Sequence, residues 1–304
     1  MISEYPDFTE LTPALRPLLH PLFQNLTEGI SEFTFAGLYL FRETHHYRVS
    51  RLGEGQFAIA GSDGDAASQD AASREAASQS GSFFMLPFGL PSSEALDHLF
   101  DRFGRMKAVS ETLAGELTAR GYRVEEDRDS FDYLYAREEM VGLAGRKFHK
   151  KKNLVNAFAR NYRAEGRPLL QDYLGEALAV LDAWRGERDE RDPGDYVAAR
   201  EALERMDELQ LCGGIYYVEG RPAAYSLGEE IARGKMFAIH FEKAVRAAEY
   251  KGIYQFINQT FASILPPKYE TINREQDLGD LGLRQAKESY NPVGFVRKYV
   301  ARKS

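Results

Sequence analysis

An order of pattern elements that runs twice through this chain limits it to one fold class. In the first half, LYLFRE (38–43), YRVSRL (47–52) and FAIAG (57–61) carry aromatic and β-branched residues between turn signals. FFMLPFG (83–89) is apolar enough for the inside of a sheet. Helical spacing follows in SSEALDHLFDRFG (92–104), where Leu96, Leu99, Phe100 and Phe103 share a face behind Ser92 or Ser93 as cap, and in SETLAGELTARG (110–121). FDYLYA (131–136) returns to strand. The second half has long helices at 169–184 and 195–209, then a hairpin formed by GGIYYVEG (213–220) and RPAAYSLGEEI (221–231). MFAIHFEKA (236–244) is a strand, 252–265 a helix, 269–273 a strand, 281–290 a helix, and FVRKYV (295–300) a closing strand. Strands and helices in this alternation predict an α/β chain with a mixed sheet in each half.

The length agrees, since 304 residues suit two domains of about 150 each. The pattern divides them into 1–145 and 146–304. SDGDAASQDAASREAASQSGS (62–82) has no large apolar residue to offset the entropy of ordering, so it is expected to be a mobile insert or a weak surface helix between two strands. The single cysteine, Cys212, excludes a disulfide framework and a Cys-rich metal site. It also has no histidine partner by spacing that would make it a nucleophile. The six histidines are scattered except for His45-His46, and neighbours on a strand point to opposite faces, so no metal is expected. No apolar run reaches the roughly 18 residues of a spanning helix, and the acidic, proline-broken N-terminus is unlike a signal peptide. A cytoplasmic protein is the expectation.

A net charge of -7 argues against a surface that coats nucleic acid or an anionic membrane throughout. Yet in GRKFHKKKNLVNAFARNY (145–162) five of the seven residues from Arg146 to Lys152 are Lys or Arg. Phe148, Val155, Phe158 and Tyr162 then recur at helical spacing. The stretch reads as a helix, or a loop entering one, with its cations turned away from the apolar face. Either these cations are a solvated face with snorkelling lysines, or they meet a local phosphate.

This segment resembles the G-x-K-[YF]-x-x-K-[RK]-N-x-[IV]-N-x-F segment of the family that shares the phosphatidylglycerol lysyltransferase C-terminal domain. INREQDLGDLGLRQAKESYNPVGFVRKY (272–299) is similar to that family's other recurrent segment, and HFEKA with Tyr250-Lys251-Gly252 resembles the part between. The resemblance covers roughly 123–298 by motif and the whole length by topology. It implies two tandem acyltransferase folds of the Gcn5-related (GNAT) type, each a mixed central sheet flanked by helices. It also implies a working site in the second half, where two central strands splay apart, and kinship with enzymes that take amino acids from charged tRNA.

In such a fold the strand MFAIHFEKA would supply the catalytic carboxylate. His240 and Glu242 alternate with Ile239 and Phe241, so both are expected on one face, where a carboxylate beside a histidine can deprotonate an attacking amine. A buried His–Glu pair is the structural alternative. The acyl-CoA signature Q/R-x-x-G-x-G/A would fall on RAAEYKGIYQ (246–255), with Lys251 and Gly252 at the cofactor. Gly252 matches, but Tyr254 stands where a small residue is expected, and bulk there crowds a pyrophosphate. The resemblance therefore favours aminoacyl-tRNA over acyl-CoA as donor, with no further cofactor required. Behind the strand at 269–273, Asn273, Arg274 and Asp277 are expected to bind substrate, Arg274 by a bidentate grip on carboxylate or phosphate. As a plain alternative, Asp277 or Asp280 caps the next helix. Tyr290 stands where this fold places a tyrosine that protonates the leaving group. Lys147, Lys150, Lys151 and Lys152, with Asn153 and Asn156, are expected to contact the phosphates of a tRNA acceptor arm or an anionic lipid head group.

The function expected is thus an acyl- or aminoacyl-transferase acting on an amine or hydroxyl of a lipid or peptide acceptor, by direct attack without a covalent enzyme intermediate. The alternative is an inactive fold of the same kind that binds tRNA, a lipid head group or a protein.

Overall fold

A computed structural model describes residues 1–63, 81–188 and 195–304. Positions 64–80 of the Ala- and Ser-rich insert expected at 62–82 lie outside the described residues. Fourteen strands are described: β1 (Thr9–Glu10), β2 (Arg48–Gly53), β3 (Gln56–Ser62), β4 (Ser82–Met85), β5 (Arg105–Val109), β6 (Arg123–Glu126), β7 (Asp132–Ala136), β8 (Ala164–Pro168), β9 (Cys212–Val218), β10 (Arg221–Ile231), β11 (Met236–Ala244), β12 (Thr271–Asn273), β13 (Gly294–Val296) and β14 (Tyr299–Arg302). They form two seven-stranded mixed sheets, ordered β1-β2-β3-β4-β5-β14-β6 and β13-β7-β12-β11-β10-β9-β8.

Two compact units hold these sheets. The first comprises Met1–Asp132, Gln276–Gly279 and Val296–Ser304, and the second Tyr133–Glu275 and Asp280–Phe295. The division falls at 132/133 and not at 145/146, because β7 pairs antiparallel with β12 and so belongs to the second sheet. The closing strand expected at 295–300 is two strands. β13 ends at Val296 in the second sheet, and β14 completes the first between β5 and β6. Lys298 anchors that crossing within the first unit. It is fully buried, and its Nζ donates to Asp132 Oδ1 at 2.7 Å and to the Glu32 carboxylate. The first unit's core gathers Phe84, Leu96, Leu99, Phe100, Met106, Leu117 and Ala301.

Sequence and structure differ in a few elements. LYLFRE is not a strand but lies in the helices Phe35–Leu40 and Arg42–His45. Thr34 caps the first of these by accepting from the Gly37 N–H at 2.9 Å. Phe35, Leu38, Tyr39 and Leu40 are all buried, and an apolar run buried all round has no period that separates strand from helix. The helix expected at 195–209 breaks at Arg205 into Tyr196–Glu204 and Met206–Leu209. Among the strands with no sequence signal, β6 (RVEE) and β8 (AEGRP) are sheet edges, where polar residues are ordinary.

The second unit positions the site. Its strands β10 and β11 pair antiparallel, but the register steps by one between Leu227 and Gly228, leaving His240 as an extra residue in β11. Gly228 makes this bulge sterically feasible, since a Cβ there would lie 1.9 Å from the Ala238 carbonyl oxygen. Gly228→Ala is expected to cost about 1–3 kcal/mol or more, as overpacking does, read as a lower urea midpoint at unchanged slope. The helix Ile253–Ile264 covers this sheet, with Phe261 against Phe237 (ring centroids 5.3 Å) and Phe256 near Tyr216 (6.4 Å). The basic stretch does form a helix, His149–Asn161, whose Phe158 stacks on Phe256 at 5.1 Å.

Candidate functional site

Four of the side chains singled out above converge in the second unit. Arg274 follows directly on β12, and its backbone N–H donates to the Tyr133 carbonyl at 3.0 Å. Its guanidinium donates to Glu242 Oε1 at 2.9 Å, and lies 5.6 Å from the Tyr290 ring centroid and 6.0 Å from that of Tyr135. Burial works against the charge of Arg274, but Glu242 and the ring of tyrosines more than compensate, so it stays cationic. Glu242 Oε1 also accepts from Asn258 Nδ2 at 3.2 Å, whereas its other oxygen, Oε2, is buried without a hydrogen-bond partner. Tyr290 follows the helix Leu281–Glu288 and is 5% exposed; its buried hydroxyl lies near the Gln255 side chain but makes no hydrogen bond of full geometry. Burial raises the phenol to about 12, against the opposing charge of Arg274 and with Glu242 adding to the rise and Gln255 opposing it, so it is a proton donor at neutral pH. Lys151 Nζ stands 4.0 Å over the same ring and donates to Ser289 Oγ at 2.6 Å. Burial, and then Arg274, lower its pKa.

Buried polar atoms are almost always hydrogen-bonded. An acceptor and a donor left open beside one arginine therefore describe a place for a ligand that offers a proton to Glu242 and takes one from Tyr290.

Other expected residues go elsewhere. The His240–Glu242 pairing is not formed, because the bulge interrupts strand alternation. His240 is instead held between Glu275 (Nδ1 to Oε1, 2.7 Å) and Glu229 (Nε2 to Oε1, 3.1 Å). Burial alone would lower its pKa, but the hydrogen bonds and charges of these carboxylates raise it to about 10. Asn273 is fully buried and turns its Oδ1 onto the Glu275 N–H at 2.7 Å, which supports the left-handed backbone of Glu275 (φ 56°). Asp277 belongs to the first unit, fully buried, where it accepts from the Gly279 N–H (2.9 Å) and Arg128 (3.3 Å). The cap of the Leu281–Glu288 helix is Asp280, through the Leu283 N–H at 2.8 Å.

The lysines fan out around their helix. Lys147 pairs with Glu139 at 2.7 Å, Lys150 and Lys152 are exposed, and only Lys151 of the four turns to Tyr290. Asn153 is exposed with its amide near His149 (3.4 Å), and Asn156 is exposed. Lys251 is exposed, while Gly252 begins the 253–264 helix at φ 101°. A Cβ on Gly252 would lie 2.8 Å from the Leu154 carbonyl oxygen, so the basic helix abuts the head of its neighbour.

Sequence reasoning missed two residues. Asn258 bridges to Glu242, and a polar residue on the apolar face of the 253–264 helix was its only signal. Lys287 donates to the carbonyls of Arg274 (2.6 Å) and Glu275 (3.0 Å) and so holds the loop that presents Arg274. Nothing in the string separates it from a solvated lysine. Among the described residues no group of His, Cys, Asp and Glu side chains could hold a metal ion, and no helix is long and apolar enough to cross a membrane.

The family described as "Phosphatidylglycerol lysyltransferase, C-terminal" matches residues 23–302. The crystal structure of a conserved protein of unknown function from Bacteroides thetaiotaomicron is similar throughout, with 28% identity, a TM-score of 0.82 and 100% of both chains covered. The C-terminal domain of a putative lysylphosphatidylglycerol synthetase from Agrobacterium fabrum is 15% identical over 96% of this chain and 92% of its own, with a TM-score of 0.60. A tandem GNAT protein from the clavulanic acid biosynthesis pathway is 8% identical over 97% and 98% of the two chains, with a TM-score of 0.52. These likenesses carry the tandem GNAT-like fold. An uncharacterized protein of Mycoplasmoides gallisepticum is 22% identical over 57% of this chain, and the match spans 56% of that relative's length.

Proposed function

From the premise that this chain belongs to the phosphatidylglycerol lysyltransferase C-terminal family, we propose that it transfers an activated acyl group, carried by tRNA, to a hydroxyl or amine at the Glu242–Arg274–Tyr290 cluster. The observation that carries this reading is the pair of open groups, Glu242 Oε2 and Tyr290 Oη, both buried beside Arg274. Glu242 takes the proton of the attacking hydroxyl or amine as the new acyl–oxygen or acyl–nitrogen bond forms. Tyr290 gives its proton to the oxygen that leaves as the ester bond breaks. Arg274 holds the Glu242 carboxylate in place through their 2.9 Å contact, and its charge favours the developing oxyanion. No covalent enzyme intermediate is needed. The family's description points to a phosphatidylglycerol-like hydroxyl as acceptor, and a peptide amine suits the same chemistry.

Two features support tRNA over CoA. Acyl-CoA would need room for a pyrophosphate at the head of the 253–264 helix. There Tyr254 is half-buried, and Gly252 is packed against Leu154 and Phe158. The exposed Lys150 and Lys152 stand free of this packing and suit the phosphates of a larger ligand.

The test is binding of a mixed pool of charged and uncharged tRNA, and of acetyl-CoA, at two or more salt concentrations. Affinity for tRNA is expected to fall steeply with salt, and Lys150→Ala with Lys152→Ala is expected to reduce the log–log slope by about two. Tight acetyl-CoA binding, or tRNA binding indifferent to salt, would overturn the donor.

A further inference from the structure

The charges that face Tyr290 are unevenly partnered. Its ring centroid has the Arg274 guanidinium at 5.6 Å and Lys151 Nζ at 4.0 Å. Glu242 pairs with Arg274 at 2.9 Å. Lys151 pairs with no carboxylate among the described residues; its ammonium donates to Ser289 Oγ at 2.6 Å and otherwise faces the ring. Lys147, four residues earlier, has Glu139 at 2.7 Å. The other neighbours of Tyr290 are neutral: Gln255 from the 253–264 helix, and Tyr135 of β7 with ring centroids 6.3 Å apart. On the helix before Tyr290, Lys287 turns its ammonium onto the carbonyls of Arg274 and Glu275, and Glu288 is exposed.

Packing alone does not ask for this placement. Lys151 is half-buried, and burial and then repulsion from Arg274 both work against its charged form. Contact with the face of a tyrosine recovers only part of that cost. An uncharged side chain of the same length would cover the ring without it. The position is nevertheless fixed: Ser289 Oγ donates to the Ala286 carbonyl at 2.5 Å, which leaves its lone pairs to accept from Lys151.

We propose that Lys151 is a positioning residue for Tyr290: its ammonium, held by Ser289 on the face of the ring, stabilises the phenolate that forms when Tyr290 gives up its proton. This rests on the transfer reading given above. In that reaction the acceptor's proton goes to Glu242 as the new acyl bond forms. The Tyr290 O–H bond breaks, its proton goes to the oxygen leaving the acyl carbon, and its electron pair stays on the phenolate. The cycle closes when the proton on Glu242 returns to Tyr290. The negative charge of the site thus moves from Glu242 to Tyr290 and back. Arg274 stands beside both ends of that movement, so it favours neither strongly. Lys151 stands at the Tyr290 end. Its charge is uncompensated at rest and compensated once the phenolate forms, which is an interaction made in the transition state and not before.

The test reads the phenol itself. Tyr290 is replaced in the full chain by a ring-fluorinated tyrosine, more acidic than tyrosine, so that it ionises while the protein is folded, and its absorbance is titrated. Lys151→Met should make that phenol about tenfold less acidic or more, whereas Lys151→Arg, which keeps a cation on the ring, should leave it near the parent. Arg160→Met removes an exposed charge near the end of the same helix and should not move it. With the natural tyrosine, single-turnover transfer from saturating labelled aminoacyl-tRNA should be about tenfold slower or more in Lys151→Met and largely restored in Lys151→Arg. Lys151→Met should melt no lower than the parent, since it removes an uncompensated charge. An unchanged titration in Lys151→Met would overturn the proposal. So would a variant that needs more donor but reaches the parent's rate at saturation, which would give Lys151 to the ligand's phosphates. A lower melt with equal loss of transfer in Lys151→Arg would also overturn it and reduce Lys151 to packing. The titration uses no acyl donor, so a shifted phenol in a protein that transfers nothing would support the placement of Lys151 and sink the transfer reading instead.

Discussion

Glu242→Gln is expected to lower the rate of acyl transfer by about 10²–10⁴-fold, the usual worth of a positioned general base. The amide still fills the space beside Asn258 and Arg274, but it cannot accept a proton at neutral pH. Substrate affinity should change less than turnover, because the lost interaction belongs to the transition state. Removing the carboxylate also strips Arg274 of its ionic partner, and Arg274 is only 16% exposed, so the variant is destabilised as well. Glu242→Asp separates the two effects. It keeps the charge next to Arg274 but withdraws the carboxylate by one methylene, and misplacement of about 1 Å can cost about 10²-fold. The measurement is single-turnover transfer from labelled aminoacyl-tRNA, with thermal melts of each variant. If the aspartate variant melts like the parent and turns over like it, Glu242 is not the base and the open Oε2 has another role.

The sequence was informative wherever local chemistry decides structure. Ser92, Ser110 and Asp280 cap helices through the N–H groups of Ala95, Leu113 and Leu283, and such caps are readable because their partners lie three residues away. The β9–β10 hairpin was readable from Glu219-Gly220, and its two residues have positive φ (52° and 74°), as a tight turn between twisted strands requires. Arg274, Glu242 and Tyr290 were legible as a polar strand end, a carboxylate on an apolar strand and a tyrosine at a helix end. What failed was long-range or register-dependent. His240 and Glu242 were assigned to one face because alternation is the rule, and one inserted residue in β11 breaks it. FVRKYV reads as a continuous strand, yet it parts at Arg297-Lys298 because Lys298 finds Asp132 and Glu32 more than 160 positions away. Lys151 stands in a run of three lysines that nothing local tells apart; only the helix rotation fixed by Val155 and Phe158 turns it toward Tyr290.

His240→Ala is expected to destabilise the protein by about 3–5 kcal/mol, since it leaves two carboxylates facing one another without the cation between them. Glu229 and His240 are each 4% exposed at their side chains and Glu275 is 27% exposed, so solvent does little to screen the loss. The pH dependence has a definite sign. The imidazole is raised from 6.5 to about 10 in the folded chain. A group whose pKa is higher when folded contributes stability that is fully present below its unfolded value and is lost as pH rises through its folded one. The contribution of His240 is therefore complete below about pH 6.5 and declines between there and about pH 10. Unfolding free energies of the parent and of His240→Gln, measured by urea at steps across that window, should converge as pH rises. A constant gap would mean that the folded chain retains no extra proton at this cluster, and that the imidazole is not held as a cation across the window. Because the Glu275 backbone joins Arg274 directly, the same series read as transfer rate reports whether the buried triad also steadies the site. A fall in turnover at pH values where the protein is still folded would place His240 behind Arg274 as a positioning residue, whereas unchanged turnover would confine it to the fold.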